Sequence, residues 1–62
     1  MLKRDVLRFF GGAVVTAERL TEAGFPITHQ AVYKWPEELP RSAERKVRGT
    51  LRTFLERAGK AR

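Results

Sequence analysis

Apolar positions fall at helical spacing along almost the whole chain. Leu2, Val6, Leu7 and Phe10 recur near i, i+4, i+5 and i+8, which predicts a short first helix. Gly11-Gly12 stops it. Ala13, Ala17, Leu20 and Gly24 then recur at i, i+4, i+7 and i+11. They predict a second helix with a small-residue inner face, which lets another helix approach closely. Gly24 stands where a left-handed residue closes a helix. Phe25-Pro26-Ile27-Thr28 reads as a turn and a helix start, with Thr28 as the N-cap. Ile27 and Val32 then have the spacing of a hydrophobic staple. A third helix is expected over Thr28–Trp35, with Ala31, Val32 and Trp35 facing inward and Pro36 ending it. Two turns are unstable alone, so a neighbouring helix must hold them.

After the loop Glu37-Glu38-Leu39-Pro40, a longer helix is expected from Pro40–Ser42 to Ala58. Its apolar positions Ala43, Val47, Leu51, Phe54, Leu55 and Ala58 fall within about 120° of arc. Arg41, Arg45, Arg48 and Arg52 form a separate stripe at i, i+4, i+7 and i+11. Gly49 costs this helix about 1 kcal/mol and leaves open a break into two. Thr50–Leu55 also contains strand formers, but the chain offers no partner strand. The expected fold is a compact all-α domain of four or five helices spanning residues 1–58. Residues 59–62 are expected to be a frayed basic tail.

Composition narrows the chemistry. Sixty-two residues leave room for one domain with a modest core. There is no cysteine, so disulfides and thiolate zinc sites are excluded, and a reducing cytoplasm suits the chain. His29 is the single histidine, more readily a polar surface residue than a metal ligand. The carboxylates are scattered among positive neighbours, and no catalytic constellation emerges. The expectation is therefore no enzyme, no metal, no cofactor and no small-molecule ligand. No apolar run has the length of a membrane span and no signal-peptide core precedes the first helix, so no membrane role and a cytoplasmic location are expected.

Charge changes the picture more. The net charge is +6. Residues 1–40 carry five basic side chains (Lys3, Arg4, Arg8, Arg19, Lys34) and five acidic ones (Asp5, Glu18, Glu22, Glu37, Glu38). Residues 41–62 carry eight basic side chains against Glu44 and Glu56, so the whole excess lies in the last third. A small basic domain commonly meets nucleic acid. The outward face of the third helix suits that partner: Thr28, His29, Gln30, Tyr33 and Lys34 are polar and long. Gln pairs with adenine N6/N7, and Lys donates to guanine or to phosphate. Trp35 shares a face with Val32 and is expected in the core rather than as a stacking platform. At least one of Phe9 and Phe10 is expected there too.

These residues also resemble a family. Phe10-Gly11-Gly12, then Ala17-x-x-Leu20, then Ile27-Thr28-His29-Gln30-Ala31-Val32-Tyr33-Lys34-Trp35, then Leu39-Pro40, resemble the Cro repressors of lambdoid phages and prophages over residues 2–49. The resemblance implies a lambda-repressor-like domain with a helix-turn-helix. It implies that Thr28, His29, Gln30, Tyr33 and Lys34 contact bases. It implies that Gly12 and Ala13 offer backbone N–H groups to a phosphate and that the start of the fourth helix, at Arg41 and Ser42, lies along the DNA backbone. Arg45 and Arg48 are expected to add phosphate contacts. It further implies a weak homodimer on double-stranded operator DNA, acting as a transcriptional repressor. The chain departs from the family in two places. Thr21–Ile27 replaces a very short turn, and Ala13 stands where many members carry a phosphate-binding Gln. Two other readings start from the same residues: a protein–protein or antitoxin-like module, and a nucleic-acid binder without sequence preference.

Overall fold

The structure, a computed structural model, describes residues 1–60. Four helices follow one another: α1 (Lys3–Phe10), α2 (Ala13–Glu22), α3 (His29–Tyr33) and α4 (Arg41–Lys60). The protein is all-α, as the periodicity predicts, with one isolated bridge between Leu2 and Glu38.

The glycines end helices as their positions predict. Gly11 adopts φ 102°, and the N–H groups of both Gly11 and Gly12 return to the Leu7 carbonyl, at 2.9 and 2.7 Å. Gly24, at φ 95°, closes α2: its N–H reaches the Thr21 carbonyl, and the Phe25 N–H reaches that of Leu20 at 2.8 Å. These bonds satisfy carbonyls that the end of a helix otherwise orphans. The seven residues Thr21–Ile27 are thus divided between the last turn of α2 and an extended connection to α3.

The core has two clusters. Val6, Leu39, Ala43 and Val47 form one, with Phe10 and Leu51 against it. Ala13, Ala17 and Val32 form the other, with Leu7 and Ile27 against it. Trp35 packs on both and joins them. It lies just beyond α3, not within the helix as expected, because α3 ends two residues earlier. Thr16 and Thr50 are fully buried, although both are polar. Each hydroxyl donates to the carbonyl four residues back, Thr16 to Gly12 at 2.7 Å and Thr50 to Lys46 at 2.9 Å. That bond removes the cost of hiding a hydroxyl.

Helix α4 is continuous through Gly49 and runs to Lys60. The break left open at Gly49 is absent, and so is the expected end at Ala58; residues 61–62 lie outside the described residues. Gly49 has a packing role instead. A Cβ there would stand 2.6 Å from Cζ of Phe25, so the missing side chain makes room for that ring. The apolar stripe of α4 is buried only over its first half. Ala43 and Val47 are in the core, Leu51 and Phe54 are half-buried, and Leu55 is 74% exposed. Helix α1 has only eight residues and cannot cover a helix of twenty. Of the phenylalanine pair, Phe10 packs inward and Phe9 is 71% exposed, with the two rings edge to face at 5.2 Å. Among the described residues, no helix is long and apolar enough to cross a membrane.

Candidate nucleic-acid interface

Helix α3 has five residues and depends on what surrounds it. Thr28 is extended, at φ −92° and ψ 156°, and its hydroxyl accepts the Ala31 N–H at 3.2 Å, so the predicted N-cap is in place. Val32 is fully buried against Ala13 and Ala17, and Ile27 packs beside it as the staple spacing predicts. The small side chains of α2 allow this close approach, and α2 is the helix against which α3 packs most.

Both ends of α3 are tied down. At its entry, the Thr21 hydroxyl donates to the Ala17 carbonyl at 2.8 Å and accepts the Ile27 N–H at 3.3 Å. At its exit, the Lys3 ammonium donates to the Tyr33 carbonyl at 2.7 Å. A cation at that end also complements the helix dipole. The Lys3 backbone is fixed in turn by its N–H on the Glu37 carbonyl at 2.8 Å, and the Leu39 N–H returns to Met1 at 3.0 Å. The first residues of the chain therefore clasp the loop that leaves α3.

The five side chains expected to face outward, Thr28, His29, Gln30, Tyr33 and Lys34, are all exposed. His29 and Tyr33 meet edge to face, with ring centres 6.1 Å apart. Beside them runs a groove bordered by Val14, Glu18 and Glu22 of α2. Sequence reasoning missed these carboxylates, although Glu18 and Glu22 stand at i+4 on the side of α2 next to Gln30. Glu22 is paired with Arg19 at 3.1 Å, an exposed bond of small worth. The surroundings of α3 therefore carry both signs of charge.

The residues expected at phosphates are spread more widely. The Gly12 N–H is committed to the Leu7 carbonyl, so Gly12 has no donor left for an anion. Ala13 is buried by its side chain, and the first turn of α2 has no side-chain cap. Arg41, Ser42, Arg45 and Arg48 are exposed on α4, as is Arg52. Arg48 is held by Glu44 at 2.6 Å. These arginines line a second groove with Phe25 and Gly49. It shares no residue with the groove beside α3.

Comparison with protein-family models, curated proteins and solved structures finds no match to the chain.

Proposed function

We propose that the protein is a sequence-specific double-stranded DNA binder of the Cro type, a transcriptional repressor working in the bacterial or phage-infected cytoplasm. In this reading α2 and α3 form a helix-turn-helix. Thr28, His29, Gln30, Tyr33 and Lys34 meet base edges in the major groove, and Ala13, Arg41, Ser42, Arg45 and Arg48 lie near the backbone of the same duplex. The observation that carries it is the state of α3. A five-residue helix is capped, pinned at both ends and buried through Val32, while every long polar side chain on it stays exposed. Direct readout needs such rigidity, because a base-edge hydrogen bond is lost with small displacements. One short helix covers few base pairs, so a second copy on a palindromic site supplies the remaining specificity. The exposure of Phe9 and Leu55 supports a weak homodimer.

Selection of bound sequences from a random duplex library tests this reading. The expected product is a palindromic motif with half-sites about one helical turn apart. Recovery of unenriched sequence would remove the sequence-specific reading.

A further inference from the structure

Val14 is an apolar side chain on α2, and it is 49% exposed. It belongs to neither core cluster and lies apart from the apolar surface formed by Phe9, Leu51 and Leu55. Valine has a lower helix preference than alanine, so local helix stability does not account for a valine on an open helix surface. Its place is fixed relative to Thr21. At 100° per residue, Val14, Glu18 and Thr21 fall within about 60° of one another around α2. The Thr21 hydroxyl accepts the Ile27 N–H at 3.3 Å, so this flank of α2 is the one turned to the entry of α3. Val14 and Glu18 accordingly share a groove with Thr28, His29 and Gln30.

The electrostatics of that groove decide which part of a duplex suits it. Glu18 is exposed and, among the described residues, has no cation within ion-pair distance. Glu22 stands one turn further on and is paired with Arg19. Carboxylates in the groove repel phosphate oxygens. Base edges carry no net charge, and cytosine and adenine offer amino donors there. A duplex held by Thr28, His29 and Gln30 therefore fits this flank with its base edges rather than its backbone. The apolar group among those edges is the thymine C5-methyl. An exposed valine is its chemical match, and contact between the two removes both from water.

We propose that Val14 is a specificity-determining residue, which reads thymine by packing on its C5-methyl in the major groove. The inference rests on the DNA-binding reading above and deepens it, since α2 then reads alongside α3. Deoxyuridine is the probe, because it differs from thymidine by that methyl alone. In the motif selected from the random duplex library, each thymine is replaced in turn by deoxyuridine, and the affinity of the full-length protein is measured. With wild-type protein, one thymine per half-site responds with about a fourfold loss, the worth of one methyl returned to water. Val14→Ala binds the thymine and deoxyuridine duplexes alike at that position and keeps the wild-type response at every other one. Its affinity for duplex without the motif is unchanged, because an apolar side chain adds nothing to phosphate attraction. Val14 is exposed and alanine is the better helix former, so the variant folds, which a circular-dichroism melt checks.

Three results overturn the proposal. A motif without thymine, or one whose thymines all tolerate deoxyuridine, leaves Val14 no methyl to read. A deoxyuridine penalty that persists in full in Val14→Ala gives the methyl to another side chain. A loss in Val14→Ala that is equal on the motif and on unrelated duplex places Val14 against the sugar-phosphate backbone. Failure of wild-type protein to enrich any motif would instead defeat the sequence-specific reading on which the proposal stands.

Discussion

Helices α3 and α4 are opposite ways of holding side chains out to solvent. Helix α3 has five residues, and nearly every feature of it is held by something else: Thr28 at its start, Thr21 at its entry, Lys3 at its exit, Val32 beneath. Helix α4 has twenty residues and sustains itself by length, with residues 51–58 at most half-buried. The side chains follow the same division. The exposed residues of α3 are chemically diverse, whereas the stripe of α4 is four copies of one cation. A base edge is directional, so its reader must be oriented. A phosphate field is not, so long arginines on an ordinary helix suffice.

If orientation of α3 is supplied by packing, removing the joint of the two clusters should have the largest effect. Trp35→Ala is expected to cost about 3 kcal/mol or more, enough to unfold most of so small a domain. A thermal melt followed by circular dichroism reads this, and a folded variant with unchanged midpoint would break the contrast. Gln30→Ala should leave the melt unchanged and lower the preference for one base pair by about 1–3 kcal/mol, with non-specific binding intact. Binding to single-substitution operator variants checks it; unchanged preference would remove Gln30 from readout. Gly49→Ala sharpens the other side. Alone it forces Phe25 off α4 and should lower stability; in a Phe25→Ala background it should raise stability by about 1 kcal/mol, the helix preference of alanine over glycine. The same sign in both backgrounds would mean that the ring does not depend on the gap. Thr28→Ala should cost about 1 kcal/mol by uncapping α3. Leu55→Ser, on the exposed half of α4, should stay within about 0.5 kcal/mol in the monomer.

What could be read in the sequence was whatever is decided locally. Thr28 as N-cap, Gly24 as helix terminator and Ile27 beside Val32 follow from spacings of at most five residues, and all are present. The outward set on α3 was equally legible, since exposure follows helical period once Val32 is placed inward. Contacts distant in sequence left no comparable signal. Nothing about Lys3 marks it as the ligand of the Tyr33 carbonyl, and Phe25 and Gly49 are joined only by the fold. Gly49 read as a weak point because helix preference was weighed without the ring that fills its space. The burial of Thr16 and Thr50 left no mark in the spacing, because the i−4 bonds that permit it form only once the helix does. The period of α4 correctly placed Ala43 and Val47 inward, yet period does not reveal that α1 is too short to cover Leu55.

The clasp between the first residues of the chain and the loop after α3 has a kinetic consequence. The Lys3–Tyr33 contact joins positions 30 residues apart, whereas α2 and α3 are neighbours in sequence. Closing a longer loop costs more chain entropy, so the α2–α3 pair can assemble before the ends meet. During synthesis residues 1–3 emerge before residues 37–39 and must wait for them. A chain interrupted between those two moments would hold a nearly formed α3 whose exit is still loose. Deleting residues 1–3 would prolong that state, and amide exchange at Tyr33 and Lys34 would report it.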